Sequence, residues 1–98
     1  MAAFISLLNF TEKGIKDFRS SPDRAEAFKA MAKKMGVTVK DIYWTVGAYD
    51  IVLIMDALDD ESIAALMFSL SSLGNVKTQT LRAFDSAQLK KIIAKASS

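Results

Sequence analysis

The chain has 98 residues, 51% of them hydrophobic and 24% charged, with a formal net charge of +2; these proportions describe one folded globular domain and argue against a disordered chain. It contains no cysteine and no histidine, which excludes disulfides, thiolate chemistry and the usual general base near neutral pH, and leaves a metal nothing but carboxylates. The charge is segregated, with net +4 over residues 1–40, −6 over residues 41–76 and +4 over residues 77–98, but no aromatic residue interleaves a basic stripe, so no nucleic-acid interface is expected.

Residues 3–9 read as a first strand. Phe4 and Leu8 lie on one parity and Ile5 and Leu7 on the other, so both faces are expected to be buried. This apolar start lacks a charged leader and is too short to span a bilayer; with no membrane segment, the expectation is a soluble, cytoplasmic protein. Thr11 is placed to cap a short helical turn that Gly14 weakens. Ser21-Pro22 is a stronger start, a hydroxyl cap followed by proline at the first helical position. Ala25, Phe28, Ala32 and Met35 then recur at helical spacing, and Gly36 suits the residue past the helix end.

Residues 37–46 read as a second strand with Ile42, Trp44 and Val46 on one parity. Gly47-Ala48 suits a two-residue hairpin turn whose first position needs φ > 0. A third strand is expected over residues 49–55, again apolar on both parities. Asp59-Asp60-Glu61 is an acidic helix start, favoured by the helix dipole; Ile63, Leu66, Met67 and Leu70 follow on one stripe, and the helix stops at Gly74. Residues 76–84 alternate Val76, Thr78, Thr80 and Arg82 against Lys77, Gln79, Leu81 and Ala83, the pattern of an edge strand with one polar face. Asp85 and Gln88 form a capping-box variant before a last helix carrying Leu89, Ile92 and Ile93.

The order β-α-β-β-α-β-α over residues 1–98, with no linker or repeat, predicts a single α+β domain of the ferredoxin-like, split-βαβ type with an added C-terminal helix. Both long helices would cover one face of the sheet. The first and third strands, central in that topology, are apolar on both parities, so the second face needs a cover. A second copy packed sheet to sheet, as a dimeric α/β barrel, is the favoured cover. Folding back of the C-terminal helix is the alternative.

Thr45-Val46-Gly47-Ala48-Tyr49-Asp50-Ile51-Val52-Leu53-Ile54, with Phe4–Thr11 and Lys77–Leu81, resembles the GYD-domain family, named for its Gly-x-Tyr-Asp signature. The resemblance spans nearly the whole chain and implies the fold more than a function. The signature and the strand after the last glycine are also similar to the effector domains of Lrp/AsnC regulators, which are dimeric barrels that bind amino acids between subunits. The helix-turn-helix of those regulators is missing here. The wider superfamily includes haem-degrading and cofactor-free monooxygenases, and the lack of histidine argues against ordinary haem ligation.

Tyr49 and Asp50 follow the turn on opposite faces of their strand. Either one lines a pocket in the dimer interior, or Asp50 locks the hairpin through backbone N–H bonds while Tyr49 packs at the rim; the second reading is favoured. Trp44 and Tyr43 offer flat surfaces for a ligand or for packing. Ser6 and Asn9 are polar groups on a buried strand and need partners. Arg82 offers a clamp for a carboxylate or phosphate, or a surface ion pair. No catalytic triad, metal motif or phosphate loop is present, and no cofactor is expected. The ranking places a homo-oligomeric module that binds a small ligand near Tyr49, Asp50, Trp44, Asn9 and Arg82 first. A structural or interaction protein with a filled interior comes second, and a cofactor-independent enzyme third.

Overall fold

The computed structural model describes residues 1–97. The elements are strand β1 (Ala2–Phe10), helix α1 (Glu12–Lys16), a 3-10 turn (Phe18–Ser20), helix α2 (Ser21–Lys34), strands β2 (Val37–Trp44) and β3 (Ile51–Ala57), helix α3 (Asp60–Ser72), strand β4 (Val76–Ala83) and helix α4 (Ser86–Ser97). The four strands form one antiparallel sheet in the order β2-β3-β1-β4. This is the ferredoxin-like arrangement, with β1 and β3 central and β4 at an edge. Among the described residues no helix is long and apolar enough to cross a membrane.

Helices α2 and α3 cover one face of the sheet. The core between them holds Phe4, Leu8, Leu53 and Met55 from the sheet, Phe28 and Ala32 from α2, and Ile63 and Leu66 from α3. The pleat explains the selection: even-numbered residues of β1 and odd-numbered residues of β3 stand opposite one another, as in the pairs Phe4–Met55, Ser6–Leu53 and Leu8–Ile51. Ser6 is fully buried in this layer. Its hydroxyl lies 3.0 Å from that of Thr80 and 3.6 Å from the Met67 sulfur, which supplies the partners its burial requires.

On β2 the same face is reached by a device that strict alternation hides. Val39 pairs with Met55 and Asp41 with Ile54, so Lys40 is an extra, bulged residue. Val37 and Val39 before the bulge, and Ile42 and Trp44 after it, thereby all turn toward the helices. Without the bulge the two pairs would face opposite ways. The bulged Lys40 places its ammonium 3.6 Å from the Asp56 carboxylate.

The hairpin differs from the expected two-residue turn. Strand β2 ends at Trp44 and β3 begins at Ile51. Thr45 N–H donates to the Asp50 carbonyl at 2.8 Å, and the Thr45 hydroxyl donates to the Tyr49 carbonyl at 2.6 Å, which closes a loop over residues 46–49. Gly47 does take φ of 140°, the left-handed region that favours glycine. Val46, expected in β2, is fully exposed in this loop. The wider loop arises because Asp50 is held on β1: its N–H donates to the Leu8 carbonyl at 2.8 Å.

The helix starts follow local chemistry, with one exception. Thr11 caps α1 by accepting the Gly14 N–H. Asp59 caps α3 by accepting the Ser62 N–H at 2.8 Å; that backbone bond, followed by the Ser62 side chain, holds the Asp59 carboxyl below its ordinary value. Asp85 and Gln88 exchange reciprocal bonds at the start of α4, 2.8 and 2.9 Å long. Ser21 is the exception. Helix α2 already includes it, and its hydroxyl accepts the Trp44 indole N–H at 2.9 Å in place of a backbone cap.

Helix α4 leaves the body of the domain. Leu89, Ile92 and Ile93 are 50%, 39% and 52% exposed, so α4 does not fold over the open face of its own sheet. The radius of gyration, 14.8 Å, exceeds the roughly 13 Å expected for a chain of this length.

Candidate functional site

The Tyr49-Asp50 pair sits where the hairpin meets the end of β1. One Asp50 carboxylate oxygen accepts the Phe10 N–H at 2.8 Å. Together with the bond from Asp50 N–H to Leu8, this holds the end of β1 against the start of β3. The lock therefore runs to β1, not across the hairpin alone. The Tyr49 hydroxyl donates to the Gln79 side-chain oxygen at 3.0 Å, reaching over β1 to the edge strand.

The five sequence-derived candidates do not converge on one point. Tyr49 reaches Gln79 on the open side of the sheet, and Asn9 shares that side by its parity on β1. Trp44 faces the other way, into the helical layer, through its bond to Ser21. Tyr43, its neighbour, is on the open side and 55% exposed. Arg82 pairs with Phe4 at the far end of β1, about 13 Å along the strand from the Leu8–Ile51 end. Its guanidinium stacks 4.6 Å from the Phe84 ring and 5.5 Å from the Phe4 ring. It also donates to the Ala3 carbonyl at 3.2 Å and to the Ala83 carbonyl.

The open side of the sheet is the larger candidate surface. Ile5 stands between Ile54 and Leu81, and Leu7 between Val52 and Gln79. Ile5, Leu7, Val52 and Ile54 are half-buried, while Leu81 is exposed. The expectation that both faces of β1 and β3 are buried thus holds for the helical face and stops halfway on this one. The accessible surface of the chain is 6535 Å², about 1,000 Å² more than the roughly 5,500 Å² of an average monomer of this mass. That surplus belongs to the whole chain, the projecting helix α4 included.

Sequence reasoning read Gly14 only as a weak point of α1. It is buried in the short helix α1, and a methyl group placed there would lie 1.9 Å from the Asn75 carbonyl oxygen. That carbonyl accepts the Thr11 N–H at 3.0 Å, and the Thr11 hydroxyl donates to the Gly74 carbonyl. A glycine in a helix interior was the available signal, since only a close approach makes its propensity penalty useful.

Comparison with known proteins gives concordant findings. The family model described as GYD domain matches residues 4–93. A Thermus thermophilus protein named glutamine synthetase and cystathionine beta-lyase binding protein is 36% identical over 90 residues, covering 91% of this chain and 95% of that protein. The crystal structure of TTHA0845, also from Thermus thermophilus, superposes with a TM-score of 0.57 at 23% identity, covering 88% of this chain and 96% of that one. At that identity the likeness shows the fold alone.

Proposed function

The chain belongs to the GYD-domain family, and from that membership we propose that it is an interaction protein: a homodimer, joined through its open sheet face, that docks onto other proteins. The observation that carries the reading is the uncovered apolar face over Ile5, Leu7, Val52 and Ile54. Monomers seldom leave a contiguous apolar sheet face uncovered, so a second copy covers it. The relative named as a binding protein for two metabolic enzymes supports the docking half of the proposal. Glutamine synthetase and cystathionine beta-lyase are accordingly the first partners to try.

A small-ligand role in the dimer interior is the second reading. It draws on the Tyr49 hydroxyl, the Gln79 amide and Asn9, which share the open side at one end of the sheet. Asp50 is already occupied by the Phe10 N–H, and Trp44 and Arg82 stand outside this group.

Sedimentation velocity across micromolar concentrations tests the first reading, followed by capture of the two enzymes on the immobilised chain. A dimer for the native chain, a folded monomer for Ile54→Lys and retention of at least one enzyme are expected. A native chain that stays monomeric throughout, with its sheet intact by circular dichroism, would overturn it.

A further inference from the structure

A cavity lies on the opposite side of the sheet from the proposed dimer face. It opens between α2 and the sheet, has a volume of about 200 Å³, and is walled mainly by apolar groups, among them Leu8, Phe28, Met31, Ile42 and Leu70. An apolar cavity of about 150 Å³ suffices for benzene, so this one has room for a ring and a short substituent. It does not belong to the Tyr49–Gln79 group, which stands across the sheet.

Its few polar liners include one cation, Arg24, and one hydroxyl, Ser21, beside Asn75. Arg24 lines the cavity and is the cationic side chain in its wall. Its side chain is 26% exposed. One terminal nitrogen, Nη1, donates to the Asp17 carbonyl at 2.8 Å and to the Asp17 carboxylate at 3.4 Å, and Nη2 donates to the Gly14 carbonyl at 3.4 Å. These bonds anchor the guanidinium and use one edge of it. Among the described residues, Nε–H and the second Nη2 hydrogen have no acceptor, and together they form the fork that grips a carboxylate with two parallel bonds. Asp17 neutralises part of the charge, but it is 67% exposed on its side chain and its hold is on the other edge.

Ser21 supplies a second donor. It lines the same cavity, is only 5% exposed, and accepts the Trp44 indole N–H at 2.9 Å. Its own hydroxyl hydrogen has no acceptor among the described residues. The hydroxyl oxygen is satisfied by the indole, and its hydrogen is available to water or to a ligand entering the open cavity.

We propose that this cavity binds a small carboxylic acid with an apolar body of about one aromatic ring. The carboxylate takes the free edge of Arg24 and the Ser21 hydroxyl, and the ring packs between Trp44 and Phe28. A ligand of this size binds in the micromolar to millimolar range. The site is independent of the dimer face, and either reading can fail without the other.

Trp44 is the single tryptophan of the chain and lines the cavity, so intrinsic fluorescence reports occupancy directly. Titration with phenylacetate is expected to change the emission saturably, whereas its neutral isostere phenylacetamide binds about tenfold more weakly or worse, having lost the charge-assisted bonds. Arg24→Gln is expected to abolish the preference between the two probes. Because Arg24 also anchors Gly14 and Asp17, Ala25→Leu provides a second test: it fills the cavity without touching those bonds, and both probes should lose their effect while circular dichroism stays native. Equal affinity for the two probes, or no saturable change at millimolar phenylacetate, overturns the proposal. So does an emission shift that follows protein concentration and that neither probe competes for, which would place a side chain of a second copy in the cavity.

Discussion

The Asp50 carboxylate accepts the backbone N–H of Phe10 across a gap of 40 residues, at 2.8 Å. Phe10 is the last residue of β1, where the ladder to β3 has already ended at Leu8–Ile51. Its N–H would otherwise lose a protein partner in a half-buried position. The aspartate of the Gly-x-Tyr-Asp signature is thus a strand clamp, and a carboxylate is the side chain that makes the strongest such bond. Asp50→Ala should cost about 2 kcal/mol, and Asp50→Asn about 1 kcal/mol because it keeps an oxygen acceptor. Equilibrium urea unfolding checks this, with a lowered midpoint and an unchanged slope.

Gly14 predicts a larger effect from a smaller change. The added methyl of Gly14→Ala would meet the Asn75 carbonyl at 1.9 Å. That carbonyl cannot retreat without giving up the Thr11 N–H at 3.0 Å. Relief requires α1 to move off the segment after α3, so the cost should be about 3 kcal/mol. On helix propensity alone the same substitution would be stabilising. Thermal unfolding of the variant therefore separates the two arguments by sign.

Asp59 predicts a pH dependence. Its carboxyl sits below its ordinary value of 3.8 because the ionised form accepts the Ser62 N–H, with the Ser62 side chain adding to the effect. A folded-state value below the unfolded one means that the unfolded chain takes up the proton first. The contribution is therefore complete above 3.8 and is lost as the pH falls through the lower folded value. Asp59→Asn keeps an oxygen for the cap but no titrating charge. Its stability should thus lack this component of the acid loss, and the gap between variant and native chain should narrow below the carboxylate range. Unfolding midpoints measured from neutral pH downward would show it.

Most of the architecture was legible because local signals and global topology agree. The apolar run of β1, the alternation of β4, the acidic start of α3 and the Asp85–Gln88 box each appear where the residues place them, while β3 starts two residues later than expected, at Ile51. Two local readings failed for a shared physical reason, a long-range contact that outbids a local one. Ser21 has the chemistry of a cap, but the Trp44 indole claims its hydroxyl from 23 residues away. Gly47-Ala48 has the chemistry of a two-residue turn, but Asp50 is held on β1 and the loop widens to accommodate it. The bulge at Lys40 was illegible for another reason. Both halves of β2 look regular, and the half-turn between them shows only once β3 is paired alongside. The candidate site was legible in residue type and scattered in space: Trp44 and Tyr49 are near in sequence, yet face opposite sides of one sheet.

Helix α4 carries the last prediction. Leu89, Ile92, Ile93 and Ala96 recur at spacings of three and four, yet the three large residues are at least 39% exposed. A helix of 12 residues is marginal in water without packing, so α4 calls for a surface outside its own domain. If that surface is the second copy, the double substitution Leu89→Ser, Ile93→Ser acts on association and not on the fold. The isolated chain then unfolds at the same denaturant concentration as the native monomer, because neither residue contributes to the core. The dimer dissociation constant should rise about tenfold or more, from the apolar area that two such side chains withdraw from water. Hydrogen exchange gives an independent reading. Amides of α4 should be protected at high protein concentration and lose that protection on dilution, while those of β1 and β3 stay protected at both. Equal protection of α4 at every concentration would mean that the helix holds itself and takes no part in association.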